Sequence, residues 1–332
     1  MIGSRSFSDL NQTAAVLLVV LTWSACFVVI KASQADAPPL LYAALRAVIG
    51  GIPLLAVAAG TGRLLPPPRT WGWIALLGLT NTTLGLAGMF LSVRGAGATI
   101  PAILANSQAL IVAPLAALLF HETLTIKRSF GVILGTIGVA LTMSVGTGGS
   151  WRTEGAAMGL MAALGLAVGS LVIKHLGSRV HALTATAWQY ALGALPLLGM
   201  SLALETGETL VWTPKFAAGL VFLGIIGSAG ASWGWFRLVS RGELIHLNGL
   251  TLLTPVFAVA LAFLIYREPL SARQLLGIGV TLLGVIWVGR PDRSPLKLAT
   301  PDVAVRARAR TPATSAHGGR RTRDVRRTIE PV

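Results

Sequence analysis

The sequence predicts an all-α integral membrane protein of ten transmembrane helices, arranged as two inverted five-helix repeats. Three observations predict it: a composition too apolar to clothe a soluble surface, ten apolar runs of spanning length, and halves that resemble each other while each holding an odd number of runs. Of 332 residues, 54% are hydrophobic and 12% charged, and the mean hydropathy is +0.72. Soluble domains carry about 25% charged residues.

A spanning helix needs about 20 mainly apolar residues. Such runs cover residues 13–33, 38–59, 71–92, 98–120, 128–146, 155–175, 181–203, 214–238, 245–266 and 271–289. The first follows Arg5 and continues through Cys26 to Ile30, which is long for a signal-peptide core and reads as a mature helix. The second opens at Pro38 and carries Arg46 among apolar neighbours. The third holds Thr80-Asn81-Thr82-Thr83, and the fourth is interrupted by Asn106-Ser107-Gln108. The fifth has Gly131 and Gly135, and the sixth Gly155/Gly159 and Gly165/Gly169, spacings that let helices approach closely in lipid. Gln189 lies inside the seventh run and Trp233 and Trp235 in the eighth. The ninth sets Asn248, Thr251 and Pro255 on one face, and the tenth is apolar with glycines. Short separators such as "HETLTIKR" and "ETGETLVWTPK" supply breakers and charge. Glu122 and Glu268, at the ends of the fourth and ninth runs, are expected to cap the helices that follow them.

The halves align. "FVVIK" ending at Lys31 matches "SLVIK" ending at Lys174, and "LRAVIGGIPLL" (45–55) matches "WQYALGALPLL" (188–198), both at an offset of 143. "HETLTIKRSFG" from His121 matches "REPLSARQLLG" from Arg267, and Gly138-Val139 matches Gly284-Val285, at an offset of 146. Five spans per half make the second repeat enter the membrane upside down, a pattern that puts binding sites near the midplane where the halves meet. The expected organisation is a short amino-terminal segment (1–12), repeats at 13–146 and 155–289, and a tail at 290–332.

Lysine and arginine set the orientation. With the amino terminus inside, Arg5, Arg63, Arg69, Lys127, Arg128, Lys174, Arg179, Arg237 and Arg241 fall inside, against Lys31, Arg94, Arg152, Lys215, Arg267 and Arg273 outside. Both termini are therefore expected in the cytoplasm, with the chain in the cell membrane. From Arg290 onward the tail holds 11 Lys/Arg and 4 Asp/Glu, almost half of the chain's net charge of +15. So polar a segment reads as disordered, with anionic lipid heads as its expected partner and no nucleic acid.

One cysteine and scattered histidines hold no metal-site spacing, and "HET" at His121 is not H-E-x-x-H. "GSAG" at Gly227 lacks the first glycine of a nucleophile elbow. No cofactor, no metal and no enzymatic activity are expected.

Together, "WSACFVVIK", "AALRAVIGGIPLL", "ANSQALIVAPLAALLFHETLT" and "TPVFAVALAFLIYREPLSARQLLGIGVTLLGVIWVG" resemble the EamA-type ten-helix carriers of the drug/metabolite transporter superfamily. The similarity covers about residues 13–290. One departure is Ala109, where the family pattern has a proline thirteen residues before the repeat's glutamate; Pro255 before Glu268 keeps it. The resemblance implies a secondary carrier of small metabolites or drugs, often an exporter, working by alternating access. A membrane-embedded enzyme, or a lipid-handling or sensing protein without solute flux, is the alternative.

The polar residues within spans are the candidate substrate contacts: Arg46, Asn81, Asn106, Gln108, Gln189, Asn248 and Thr251, with Trp23 and Trp233 as aromatic walls. Trp188 and Trp235 are further candidate walls, and the small-residue stripes also allow a homodimer. Arg46 and Gln189 occupy matching repeat positions, each seven residues before a proline. Arg46 either snorkels toward the outer interface or faces the cavity, where, with no deep acid in any span to neutralise it, an anionic group on the ligand is its expected partner.

The tail has no counterpart in the other half and no apolar face. Deleting residues 294–332 is expected to leave transport affinity near wild type at matched abundance; a large loss of affinity would assign the tail a role in binding.

Overall fold

The computed structural model describes residues 7–96, 107–143, 153–266 and 271–288. They are helical, without strands, and form ten rods among the described residues: α1 (Phe7–Ser33), α2 (Pro39–Gly60), α3 (residues 71–96), α4 (Gln108–Phe120), α5 (Ile126–Met143), α6 (Thr153–Leu176), α7 (Ala182–Leu204), α8 (residues 214–241), α9 (residues 244–266) and α10 (Ala272–Val288). Seven (α1, α2, α3, α6, α7, α8 and α9) are long and apolar enough to cross a membrane. Asn106, Glu268, the 144–152 segment and the basic tail lie outside the described residues.

The surface explains the composition. Leu118 and Leu202 are 71% and 79% exposed, and Ile52, Leu264 and Leu276 also face outward. Water would penalise such a surface, whereas lipid tails accept it. Inside a bilayer the hydrophobic effect no longer drives helices together, so close backbone approach must do so.

That approach follows a two-fold pattern. α2 packs on α7, α4 on α9 and α5 on α10, each against its repeat counterpart, while α3 packs on α6 as α8 packs on α1. At the α5–α10 crossing, a Cβ added to Gly138 would lie 2.8 Å from the Gly277 carbonyl oxygen, and one on Gly284 would lie 2.6 Å from that of Gly131. These pairs exchange under the offset of 146 found in the sequence. The Gly131–Gly135 spacing thus serves this crossing.

Three local features depart from the expected plain helices. α3 contains a π-helical stretch at Gly78–Leu84 and α8 one at Phe222–Gly230. Their closing bonds run from Gly85 N to Thr80 O and from Ala231 N to Ile226 O, again related by 146. α9 is interrupted at Leu252, between Leu244–Thr251 and Leu253–Tyr266. Pro255 accounts for the break, because a proline ring clashes with the carbonyl four residues back, here that of Thr251.

The capping expectation for Glu122 is corrected. Its carboxylate accepts from the Leu244 and Ile245 amides at 2.8 and 2.9 Å, capping α9 rather than the following α5, and its ion partner is Lys174 at 3.3 Å. Glu205, at the end of α7, caps α2 in the same manner through Leu40 N (2.6 Å) and Leu41 N (2.9 Å). A carboxylate at a helix amino terminus satisfies orphan donors and meets the positive end of the helix dipole.

The α5–α10 crossing generates a paired prediction. Gly284→Ala, which forces a methyl onto α5, is expected to cost about 1–3 kcal/mol. Gly279→Ala, whose Cβ would meet nothing within 4 Å, should be neutral or slightly stabilising. Thermal unfolding of the two variants in detergent, read side by side, checks this; equal midpoints would contradict the packing assignment.

Candidate functional site

α2 and α7 each lay a glycine against the π-helical turn of the opposite repeat. A Cβ on Gly50 would meet Ser228 Cβ at 2.8 Å and Gly224 O at 2.9 Å; one on Gly193 would meet Thr82 Cβ at 2.5 Å and Gly78 O at 2.6 Å. One turn before each glycine stands the long polar side chain picked out by the repeat. Arg46 Nε donates to Ser228 Oγ at 2.9 Å, and Gln189 Nε2 donates to Thr82 Oγ1 at 3.2 Å. The residues of one bond map onto those of the other through the offsets 143 and 146. A π turn widens the helix and re-aims its side chains, and such turns are frequent at functional sites. Here each presents a hydroxyl to the opposite repeat.

These two bonds flank a cavity of about 110 Å³ at the centre of the bundle. That space would hold several waters, at about 10–15 Å³ of probe-occupied volume for each. α1 to α4 and α6 to α9 all contribute to its wall, while α5 and α10 pack on each other elsewhere. Six of the nine candidate contacts line it: Trp23, Arg46, Asn81, Gln108, Gln189 and Thr251. Asn81 fits because Gly169 on α6 faces it; a Cβ there would fall 2.7 Å from Asn81 Cβ. Trp23 packs on Trp235 with ring centroids 5.3 Å apart at 60°, and Tyr190 shares a 2.7 Å hydrogen bond with Ser232.

The other three candidates fall elsewhere. Asn106 lies outside the described residues. Asn248 is buried and its amide donates to Leu244 O of its own helix at 3.1 Å, so it bonds within α9 and is not part of the cavity wall. Trp233 lines a separate pocket of about 370 Å³ at the end of the bundle that carries Arg63, His181, Arg237 and Arg241. The Arg237 guanidinium lies 5.4 Å from the Trp233 ring centroid. Trp188 likewise leaves the centre, packing on Trp71 and donating to Leu64 O at 2.7 Å. The sequence reading had not singled out Tyr190, Ser232, Ser170 and Thr254 of the central wall. Tyr190, Ser232 and Thr254 lie one to three residues from Gln189, Trp233 and Thr251, which was the available signal; nothing marked Ser170.

The electrostatics of the two pockets share a sign. Arg46 is only 4% exposed, its Nη1 has no hydrogen-bond partner, and no carboxylate lines its cavity among the described residues. In the second pocket, burial first, and then the guanidinium groups of Arg63 and Arg237, hold the His181 imidazole below its ordinary value. Arg63 Nη1 lies 2.8 Å from His181 Nε2. Among the described residues no cluster of three or more histidine, cysteine or acidic side chains could hold a metal.

Comparison with known proteins agrees with this architecture. A solved crystal structure superposes with a TM-score of 0.73 at 20% identity, covering 86% of this chain and 97% of its own, which establishes a shared fold. An uncharacterized transporter of Synechocystis is 30% identical over 327 residues, 91% of this chain and 96% of its own length. A protein of Salmonella typhimurium named as a probable amino-acid metabolite efflux pump is 28% identical over 279 residues, 81% of this chain and 91% of its own. The model of the EamA-like transporter family matches twice, over residues 13–144 and 153–290, and with both halves accounted for the chain belongs to that family.

Proposed function

We propose that the chain is a secondary transporter that exports a small metabolite or drug across the cell membrane. The observation that carries this reading is the central cavity, walled by four helices of each repeat and flanked by the two repeat-related bonds, Arg46–Ser228 and Gln189–Thr82. A site at the junction of inverted repeats can be opened to either side by rocking one repeat against the other. The crossings of α2 on α8 and α7 on α3, where glycines meet π turns, are the pivots this mechanism would use. The names of the relatives, transporters and probable efflux pumps rather than enzymes, support the same class and the outward direction.

In this reading ten helices cross the membrane, and both termini face the cytoplasm. The basic pocket around Arg63 and Arg237 is then the cytoplasmic mouth, consistent with the bias of lysine and arginine toward that side. Reporters fused before Asn11 and after Arg290 are expected to signal cytoplasm, and one inserted at residues 146–154 the outside. A cytoplasmic signal from the last would overturn the ten-span arrangement.

Flux is the direct test. Purified protein in proteoliposomes, screened with labelled amino acids, nucleosides and drugs with and without a pH gradient, is expected to move at least one compound. Gln189→Ala and Asn81→Ala should each lower that flux about tenfold at matched insertion, the ~1.4 kcal/mol expected of one hydrogen bond. No flux for any compound, with ligand binding intact, would favour a sensing role instead.

A further inference from the structure

This inference rests on the transporter reading and names the class of its cargo. We propose that the central cavity takes a small organic anion, its carboxylate or equivalent oxyanion against Arg46 and its apolar body against Trp23, Trp235 and Tyr190.

Arg46 carries a charge that cannot be shed. A guanidinium stays protonated under all biological conditions, whereas a buried lysine could lose its proton. Arg46 therefore keeps its charge inside a span, 4% exposed, and no carboxylate among the described residues lines the cavity to offset it. A side chain merely reaching for the bilayer surface would leave its head group exposed. Arg46 does the opposite: Nε is tied to Ser228 of α8 at 2.9 Å, and Nη1 is enclosed without a partner. An oxyanion admitted beside Arg46 supplies both the missing acceptor and the missing countercharge.

The two-fold arrangement sharpens the specificity. The equivalent position holds Gln189, which has similar reach and donates to the equivalent hydroxyl of Thr82, but carries no charge. The two seats are thus equivalent in their hydrogen bonds and differ in charge. A ligand that fits carries a negative group at the α2–α8 side and an uncharged, hydrogen-bonding or apolar part toward α3 and α7. Between them the Trp23–Trp235 pair and the Tyr190 ring form an apolar wall suited to a flat or aromatic body. The second pocket, with Arg63, Arg237 and Arg241 and, among the described residues, no acid in its wall, has the same sign. Its arginines are also accounted for by membrane topology, so Arg46 alone carries the inference.

The test uses ligands that share a skeleton and differ in charge. Acetate, phenylacetate and indole-3-acetate, each paired with its amide and its amine analogue, are titrated into the purified full chain in nanodiscs by calorimetry. At least one carboxylate is expected to bind roughly tenfold or more tighter than its amide, the step that one charge-assisted hydrogen bond supplies, with the amines weakest. Arg46→Gln should erase that preference, and Arg46→Lys should keep part of it, having the charge without the forked geometry. Should Arg46→Gln fail to yield monodisperse protein, Ser228→Ala, which frees Nε but leaves the charge, is expected to keep the carboxylate preference. Binding of no carboxylate, equal binding of amides or amines, or an unchanged preference in Arg46→Gln would each overturn the proposal. Flux that favours amines would overturn it while leaving the transporter reading intact. Carboxylate binding without any flux would do the reverse.

Discussion

The whole bundle depends on one constraint: α2 and α7 must approach the middle of α8 and α3 closely enough to bring backbone against backbone. Gly50 and Gly193 make that approach available, and the π turns they meet supply the hydroxyls of Ser228 and Thr82 at the contact. In lipid no hydrophobic force gathers helices, so contacts of this kind, with the α5–α10 glycine crossing, hold the repeats together. The polar groups of the cavity follow from it. Arg46 and Gln189 sit one turn from those glycines and reach across to the opposite repeat because the backbones are already close.

Electrostatics then separates the two equivalent places. An arginine in a span costs on the order of 3 kcal/mol even by lenient insertion scales. Gln189 at the matching position shows that the architecture can be built with an amide, so the charge is not required by the packing. Its presence on one side only gives a symmetric frame a polar direction. Other charges in the bundle are paired: Glu122 caps α9 and meets Lys174, and Arg128 pairs with Glu243. Arg46 stands outside this pattern.

Much of this was legible before any coordinates. Long apolar runs announce helices in lipid because every backbone group must be satisfied within its own segment. The constant offset announced the two-fold relation that the packing follows. Other features were not legible, for physical reasons. A π turn changes the bonding of one residue without changing composition, and "TNTT" and "FLGIIGSAG" read equally well as α-helix. Pro255 breaks α9, yet Pro53, Pro114 and Pro196 lie inside continuous helices, so proline alone did not locate the break. Trp233 and Trp235 differ by about 200° around their helix, and residue type could not say which one faced the centre. Asn248 turned its amide back onto its own helix, a choice invisible to spacing.

We propose residues 46 and 189 as equivalent seats facing one cavity, with the charge at one of them deciding what binds. Moving the charge across the two-fold tests it most directly. In the double variant Arg46→Gln/Gln189→Arg, the new guanidinium finds Thr82 as Ser228 served the old one. Calorimetric titration with paired carboxylates and amides should show the carboxylate preference, absent in Arg46→Gln alone, restored in the double variant. A well-folded double variant that binds amides as tightly as carboxylates would contradict the equivalence of the two seats.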